Sequence, residues 1–275
     1  VTAVDADHLD IYGTVEAYRA GFEEFTSLIR PDGVLLMKEG LPIHPRLQKG
    51  VTCYTYSVDK GDFHADNIRI GNGDILFDFV TPKEVIKDIQ LGVPVYVNIE
   101  NGVAAMSIAW LNGVRPDELR EGMKSFRGVK RRFDFHIKSD KIVFLDDYAH
   151  HPNELKSSIE SIRRLYADRQ LTVVFQPHLY TRTRDLADDF AKVLSTADEL
   201  MLLDIYPARE QPIPGVDSQM LLDKVELKNK RLISKQDLVK SVDERAYDVL
   251  LMVGAGDLDL LIPEMEQKFR KKYNI

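Results

Sequence analysis

Four clusters of ionisable and polar residues follow four apolar runs in the second half of the chain, at 146–152, 176–185, 204–210 and 254–257. Arg182 and Arg184 offer guanidinium groups, which bind carboxylates or phosphates through paired hydrogen bonds. His151 and His178 offer imidazoles that position a substrate or carry a proton near neutral pH. Asp147 can accept hydrogen bonds from a ribose. The residue types therefore predict a site for anionic groups and a nucleotide.

Each of these features also has a structural explanation. A single polar loop is often only solvated, and a lone histidine often caps a helix or packs. Gly254 and Gly256 either bring backbone close to a ligand or form a tight turn. Their spacing does not match the G-x-G-x-x-G pattern of dinucleotide-binding folds. Four clusters together favour a site, because ligands of parallel α/β sheets bind beyond the carboxyl ends of the strands.

The segment 7–10, with the sequence DHLD, is a weaker candidate site near the start of the chain. Its carboxylates and imidazole suit Mg²⁺ or the waters that Mg²⁺ retains. An N-cap for the following helix is the alternative explanation. The sequence contains no G-x-x-x-x-G-K-[ST] motif, so the chain as given carries no phosphate-binding P-loop.

The four polar clusters are positioned by a predicted alternation of strands and helices. Apolar runs at 142–147, 171–177, 199–206 and 249–256 each precede a helical pattern. Four such units in a row predict a doubly wound, mostly parallel sheet of the α/β class. Because this alternation begins near residue 128, we divide the chain into domains at 1–127 and 128–275.

The first 127 residues have a different pattern. Apolar residues near helical spacing predict a helix over 14–30, which Pro31 and Gly33 end. GVLLMK predicts a short buried strand, and three alternating segments between 51 and 80 predict a small antiparallel meander. Two further helices are predicted at 101–112 and 116–125, the second with Pro116 near its start.

Composition excludes several classes of protein. The net charge of −7 argues against a protein that binds duplex nucleic acid, which needs a cationic face. A hydrophobic content of 44% is too high for a disordered chain. No apolar run approaches the ~18 residues of a membrane-spanning helix. A single cysteine, Cys53, excludes an intramolecular disulfide and is compatible with the cytoplasmic location that we expect.

Four motifs resemble those of the Mur ligase family: DADHLDIY, GVKRRFDF, DDYAHHPNEL and FQPHLYTRTRDL. They occur in the family's order, and the resemblance covers essentially the whole chain. The last two motifs are long and highly specific. The resemblance implies that 1–127 is the remainder of the family's central ATP-binding domain and that 128–275 is its Rossmann-like C-terminal domain.

The resemblance also implies an activity. The motifs are most similar to those of members that join L-alanine to UDP-N-acetylmuramate in peptidoglycan precursor synthesis. Such enzymes use ATP and Mg²⁺ to phosphorylate the sugar's lactyl carboxylate. The amine of L-alanine then attacks the acyl phosphate, and the tetrahedral intermediate collapses to amide and phosphate. Domain closure aligns the reactants in this chemistry.

Roles for individual residues follow from the resemblance. It implies that His8 is the family's Mg²⁺-associated histidine. On the nucleotide side, Asn98 and Asn101 correspond to the family's adenine contacts. Arg131 or Arg132 corresponds to its phosphate contact. Asp147, with Tyr148 beside it, corresponds to its ribose contact. The amino-acid and acyl-phosphate end corresponds to His151, His178, Arg182 and Arg184. Among these, Arg182 is the implied partner of the alanine carboxylate.

The chain departs from the family pattern at several positions. Val97 stands where the family has a histidine, and Leu179 where an arginine is frequent. Thr2 and Ala3 replace the family's frequent Thr-Asn before the aspartate–histidine motif. The first lysine after that motif is Lys38, beyond the helix, so no carbamylated lysine is predicted.

The family's UDP-sugar domain and P-loop do not occur in this sequence. We therefore expect the chain to be the C-terminal portion of a longer enzyme and to have no ligase activity alone. Two alternatives stay open: another ATP-dependent amide ligase of the folylpolyglutamate or cyanophycin type, and a non-catalytic binding module. We expect no nucleic-acid or membrane partner, and homo-oligomerisation is compatible with the sequence.

Overall fold

The chain divides into two compact units in a computed structural model that describes residues 1–4 and 9–275. Val1–Ile70 and Asp74–Phe126 form the first unit, and Gly71–Gly73 and Arg127–Ile275 form the second. Both contain helices and strands, and the predicted α/β class with a parallel sheet is confirmed. The assignment of family domains to 1–127 and 128–275 stays a prediction.

The first unit combines helices with two small sheets. Its described helices are α1 (Leu9–Tyr12), α2 (Val15–Ser27), α3 (Val97–Leu111) and α4 (Pro116–Ser125). Its strands are β1 (Val34–Lys38), β2 (Thr52–Tyr56), β3 (His64–Gly71), β4 (Asp74–Val80) and β5 (Val85–Gln90). Helix α2 begins after Thr14, whose hydroxyl accepts a hydrogen bond of 3.1 Å from the Ala17 N–H. This N-cap satisfies one of the free donors of the first turn.

The predicted antiparallel meander was assigned the wrong set of strands. Strand β2 pairs in parallel with β1, and the three-stranded sheet is instead β3-β4-β5. The connection 39–51 between β1 and β2 is long enough for the crossover that a parallel pair requires. Strand β5 was not predicted because Lys87 and Asp88 interrupt its apolar residues, and the β4–β5 register shifts between Phe77 and Phe79.

The second unit is built around a six-stranded sheet with the order β10-β9-β8-β11-β7-β6. Its strands are β6 (Asp134–Lys138), β7 (Val143–Asp147), β8 (Leu171–Phe175), β9 (Glu199–Leu202), β10 (Lys230–Leu232) and β11 (Val249–Val253). Its helices are α5 (Pro152–Leu165), α6 (Tyr180–Asp185), α7 (Ala187–Leu194), α8 (Ser218–Lys224), α9 (Lys235–Glu244) and α10 (Ile262–Tyr273), with a 3₁₀ turn at Leu258–Leu261. Strands β7 to β11 run parallel, and β6 is antiparallel to β7.

Helices cover both faces of this sheet. On one face, Phe144, Val174 and Met252 pack with Leu238 of α9 and Phe269 of α10. Phe175 points to the opposite face, because successive side chains of a strand alternate, and its ring lies 5.3 Å from that of Phe190 in α7. The central strands are consequently buried on both sides, which explains why they read as continuous apolar runs.

The four predicted strands of this unit are present as β7, β8, β9 and β11. The prediction missed β6, β10, α6 and α9. Strand β10 has only three residues, two of them charged, so it carries no apolar signal. Among the helices of residues 1–4 and 9–275, none is both long and apolar enough to cross a lipid bilayer.

Gly92 provides a test of packing in the first unit. A Cβ at this position would lie 1.9 Å from the Phe126 carbonyl oxygen, and the Gly92 N–H donates to the Met123 carbonyl at 2.9 Å. We expect Gly92→Ala to lower the free energy of unfolding by about 1–3 kcal/mol, measured by urea denaturation. Gly122→Ala is the control, because the same methyl group meets open space within α4 and raises helix propensity by up to about 1 kcal/mol. Equal effects of the two changes would contradict this account.

Candidate active site

Predicted site residues gather at the carboxyl edge of the six-stranded sheet. Strands β7, β8 and β11 are parallel neighbours, with β9 beside β8, so their carboxyl ends meet at one edge. The loops that follow them carry Tyr148, His178, Tyr206 and Gly254. The strands are mostly apolar, apart from residues such as Asp146 and Asp147 at the end of β7 and Glu199 at the start of β9, so most polar side chains lie in these loops.

His178 lies at the centre of this edge. Its Nδ1 is 3.3 Å from the Arg182 Nη1, one helical turn further along the chain. The ring stacks on Tyr206, with centroids 5.7 Å apart and planes 14° from parallel. Backbone hydrogen bonds connect the two loops: the Tyr206 N–H donates to Pro177 O at 2.8 Å, and the Leu179 N–H donates to Tyr206 O at 3.0 Å.

A row of aromatic rings extends from His178 through His150 to Tyr148. The His150 ring lies 6.1 Å from that of His178, and the Tyr148 ring lies 5.3 Å from that of His150. The Arg131 guanidinium stands 4.8 Å from the centre of the Tyr148 ring, at cation–π distance. Loops after three different strands thus contribute to one continuous surface.

The charge of His178 follows from these neighbours. Burial, the Arg182 guanidinium, His150 and Arg209 lower the pKa of His178, and the Glu210 carboxylate opposes them only in part. Glu210 itself accepts hydrogen bonds from the Thr181 N–H at 3.0 Å and the Thr181 hydroxyl at 2.5 Å. These neighbours and burial therefore favour the neutral form of the imidazole.

Asp147 ends β7 in a largely buried position. Burial raises the pKa of its carboxyl, although hydrogen bonds from the Ser158 hydroxyl and from the N–H groups of Phe133 and Ala149 oppose that rise. These donors fix the orientation of the carboxylate. An oriented carboxylate at the edge of a parallel sheet suits the ribose-binding role predicted for Asp147.

Arg131 and Arg132 have different surroundings, although the sequence did not distinguish them. The Arg131 Nη2 donates to the carbonyl oxygens of Gly254 at 3.1 Å and Gly256 at 3.0 Å, and Nη1 lies 3.4 Å from Asp259. The Arg132 side chain is exposed. Arg131 is thus committed to the loop after β11, whereas Arg132 is available to a ligand.

The backbone on either side of Arg132 is strained. Arg131 has a φ of 63° and Phe133 a φ of 50°, and residues other than glycine rarely adopt such values. Phe133 is buried, and the Arg131 carbonyl accepts the Tyr148 N–H at 2.7 Å. Fixed neighbours on both sides hold this conformation, which points to a constraint of the kind found at functional sites.

The two arginines after His178 also differ. Arg182 is half-buried and contacts His178, whereas Arg184 is exposed and donates from Nε to its neighbour Asp185 at 2.7 Å. The structure therefore brings Arg182 into the row of rings. For Arg184 it shows only the contact with Asp185 and an exposed position.

His151 is the N-cap of α5. Its Nδ1 accepts the Asn153 N–H at 3.4 Å, and its own N–H donates to the Glu154 carboxylate at 3.1 Å. This reciprocal pair is a capping box. The adjacent His150, which we did not predict, is the residue that reaches His178.

Gly254 and Gly256 are explained by packing. A Cβ on Gly254 would lie 2.7 Å from the Gln176 carbonyl oxygen, and one on Gly256 would lie 2.3 Å from Gln176 Oε1. Gln176 is buried, and its Nε2 donates to Asp257 at 3.0 Å. Lys235 Nζ donates to the same carboxylate. Close packing against Gln176 therefore accounts for both glycines, and it is neither the ligand approach nor the tight turn that the sequence left open.

Asn98 and Asn101 belong to the first unit, on α3. The Asn98 Nδ2 donates to the Val93 carbonyl at 3.1 Å, and its Oδ1 accepts from Asn101 Nδ2 at 3.1 Å. The hydrogen bonds orient Asn98 and leave the exposed Asn101 at the surface. His8, the predicted Mg²⁺ partner, lies outside the described residues.

Within residues 1–4 and 9–275, one group of three side chains has the spacing of a metal site: Asp134, His136 and Asp146. Asp134 lies opposite Asp146 in the β6–β7 pair, and His136 Nε2 is 2.8 Å from Asp146 Oδ1. The nitrogen that would bind a metal is already hydrogen-bonded to a buried carboxylate. We therefore interpret the group as an ion pair that places a positive charge between two aspartates.

Two further residues of the site escaped prediction. His150 was passed over in favour of His151, and Tyr206 was not singled out within the cluster at 204–210. The doublet His150–His151 signals that two imidazoles are near the site, but only the start of α5 decides which of them is the cap. Nothing in the sequence indicates that Tyr206 stacks on His178.

Comparison with known proteins identifies the family. A family model for the Mur ligase middle domain matches residues 1–109, and one for the Mur ligase glutamate ligase domain matches residues 131–264. The chain belongs to the Mur ligase family. The two matched segments follow one another and together cover most of the chain.

Relatives with assigned names support the same family. The chain is 61% identical over 268 residues to a UDP-N-acetylmuramate–L-alanine ligase of Parabacteroides distasonis, covering 97% of this chain and 58% of that protein. It is 48% identical over 270 residues to the ligase of that name from Porphyromonas gingivalis, covering 97% of this chain and 59% of that protein. The chain thus spans about three-fifths of the length of these relatives.

Solved structures show the same fold. The UDP-N-acetylmuramate–alanine ligase of Thermotoga maritima superposes with a TM-score of 0.72 at 23% identity, over 99% of this chain and 59% of that one. A folylpolyglutamate synthase of Thermotoga maritima superposes with a TM-score of 0.64 at 15% identity, over 99% of this chain and 59% of that one. At these identities the comparison establishes the fold and does not distinguish the substrates.

The ion pair of His136 predicts a pH-dependent stability. Burial disfavours the protonated ring, but the hydrogen bond and charge of Asp146, with Asp134 and Glu266, outweigh burial and raise the pKa of His136. Because the folded-state pKa is the higher one, the stabilisation is complete below about pH 6.5, the ordinary histidine value. It is lost as the pH rises through the raised pKa.

We expect the stability advantage of the original chain over His136→Gln to shrink by about 1 kcal/mol between pH 5.5 and pH 9. Urea denaturation at the two pH values measures it. Lys156→Gln, an exposed change on α5, is the control and should show no such trend. An advantage that is constant or grows with pH would contradict the ion pair.

The different surroundings of Arg131 and Arg132 predict different effects on stability. Arg131→Ala leaves the carbonyls of Gly254 and Gly256 without their guanidinium donor, and we expect a loss of about 2 kcal/mol. Arg132→Ala removes an exposed side chain and should change stability by less than about 0.5 kcal/mol. Urea denaturation of both variants measures the difference, and the reverse order would show that Arg132 is the anchored residue.

Proposed function

We propose that this chain is the middle and C-terminal part of a ligase that joins L-alanine to UDP-N-acetylmuramate with ATP. The 61% identity to a named ligase over 97% of the chain supports the proposal. The geometric observation that carries it is the half-buried Arg182 held beside the ring of His178, at the same sheet edge as Asp147. This arrangement suits a carboxylate next to a nucleotide.

At the amino-acid end of the proposed site, Arg182 binds the carboxylate of L-alanine. Its guanidinium has no ion pair in the described part of the chain, and its contact with His178 orients it. A planar guanidinium matches a carboxylate through two parallel hydrogen bonds. The rings of His150 and Tyr206 contact that of His178 on two sides and hold it beside Arg182.

At the nucleotide end, Asp147 accepts hydrogen bonds from the ribose, and Tyr148 lies beside it. Arg132 neutralises charge on a phosphate, for which its exposed position qualifies it better than Arg131, whose guanidinium is committed to the loop after β11. Asn98 and Asn101 contact the adenine. These roles rest on the family resemblance together with the surroundings described above.

In the proposed reaction, an oxygen of the lactyl carboxylate attacks the γ-phosphorus of ATP, and the bond to ADP breaks. The amine of L-alanine then attacks the acyl carbon, loses a proton and forms the amide as phosphate departs. Positive charge near the transferring phosphoryl group stabilises its transition state. Mg²⁺ would add such charge when bound, and His8 stays its predicted partner on the resemblance alone.

The test measures phosphate release from ATP by the longer protein that contains this chain. We expect release that requires both UDP-N-acetylmuramate and L-alanine. In that protein, Arg182→Ala should raise the KM for L-alanine about 10- to 100-fold, the value of a charge-assisted hydrogen bond pair. Arg164→Ala, an exposed arginine on α5, is the matched control.

The other readings give different results in the same assay. Release with glutamate and a different acceptor indicates an amide ligase of the folylpolyglutamate type. A folded protein that releases no phosphate with any amino acid indicates a binding module. An unchanged KM for L-alanine in the Arg182 variant overturns the assignment of its carboxylate partner.

A further inference from the structure

We infer that His178 acts as a neutral hydrogen-bond donor through its Nε2–H, and that Arg182 fixes this tautomer. This inference rests on the proposed function, because it assigns the role of His178 in that reaction. It decides between the two roles that the sequence leaves open for this imidazole, positioning a substrate and carrying a proton. The decisive contact is the one between Arg182 Nη1 and His178 Nδ1, at 3.3 Å.

The chemistry of the two groups determines the direction of this hydrogen bond. A guanidinium has only N–H groups, keeps its charge at any physiological pH and cannot accept a hydrogen bond. The Nδ1 of His178 must therefore be the acceptor. An imidazole whose Nδ1 accepts has no proton there, so its single proton is on Nε2. The other ring nitrogen, Nε2, is then a donor.

The surrounding charges favour the same state. Burial is the main influence that opposes protonation of the ring, and Arg182 on α6, His150 after β7 and Arg209 after β9 add to it. Glu210 is the one carboxylate that favours protonation, and its oxygens are engaged by Thr181. Protonation would also place a donor at Nδ1 against the guanidinium and remove the hydrogen bond.

The ring is held so that it cannot easily turn its other nitrogen toward Arg182. Tyr206 stacks on one face at 5.7 Å, and the His150 ring meets it at 62° and 6.1 Å. The next residue, Leu179, has a φ of 71°, an outlier for a large side chain. The two backbone hydrogen bonds to the Tyr206 loop fix this strained segment. Pre-oriented groups of this kind are typical of sites that stabilise developing charge.

A donor at Nε2 has a defined use in the proposed reaction. Its partner is an anionic oxygen, either of the amino-acid carboxylate or of the tetrahedral intermediate formed when the amine attacks. The same nitrogen has no lone pair and cannot remove the proton of the attacking amine. His178 is therefore a hydrogen-bond donor to the substrate and not its general base.

The tautomer can be observed directly by NMR of the longer protein labelled with ¹⁵N-histidine. Long-range proton–nitrogen correlation spectra distinguish a protonated from a bare ring nitrogen, and loss of one set of signals in His178→Gln assigns them. We expect a bare Nδ1 and a protonated Nε2 at pH 7.5. In Arg182→Gln we expect a mixture of the two tautomers, with the proton on Nδ1 in some molecules and on Nε2 in others. A proton on Nδ1, or a charged ring at pH 7.5, overturns the inference.

Kinetics separate a donor from a base. The amide nitrogen of glutamine replaces an Nε2–H donor but cannot accept a proton at neutral pH. We expect His178→Gln to keep activity within about tenfold and His178→Ala to lose about 10²- to 10³-fold, the effect of removing one oxyanion donor. The acidic limb of the pH profile should be the same in His178→Gln as in the original protein.

A loss confined to the KM for L-alanine identifies the carboxylate as the partner, and a loss in kcat identifies the oxyanion. Glutamine and alanine variants that are equally impaired, with the acidic limb gone in both, would show that His178 is the base. If the protein releases no phosphate with any amino acid, the proposed function fails, while the NMR experiment still reports the tautomer.

Discussion

The contact of the Arg131 guanidinium with the loop after β11 is the interaction on which the carboxyl edge of the sheet depends. One side chain donates to the carbonyls of Gly254 and Gly256 and lies over the ring of Tyr148. The Arg131 carbonyl also accepts the Tyr148 N–H. Three loops from different parts of the sequence are thereby fixed at one point. That fixation holds Tyr148, the first ring of the row and the residue after Asp147.

The sheet makes such a concentration of polar groups necessary. Strands β8, β9 and β11 are buried along their whole length, and helices cover both faces. A polar side chain inside these strands needs a buried partner, as Glu199 has in Arg245. The carboxyl ends are where the chain leaves the core, and parallel pairing brings those ends together. The chemistry therefore collects at the edge because the core excludes it elsewhere.

The extent to which the sequence predicts this structure follows from the same burial. Fully buried strands read as continuous apolar runs, so β7, β8, β9 and β11 were predictable, as was the edge they form. Lys230–Leu232 and Val85–Gln90 carry charged residues on short or half-exposed strands, and no run marks them. The partner of β2 depends on a crossover that local pattern does not encode. At the site, residue types were predictable, but the distinction between Arg131 and Arg132 required the positions of distant carbonyls.

The histidines show why residue type alone is insufficient. His136 faces two aspartates, which raise its pKa, whereas His178 faces arginine and histidine, which together with burial lower its pKa. His151 uses the same ring to cap a helix, and its neighbour His150 contacts His178. One side chain thus serves as cation, donor and cap within a single unit. What assigns each role is the sign and distance of the neighbouring charges, and these come from loops that the sheet brings together rather than from adjacent positions in the sequence.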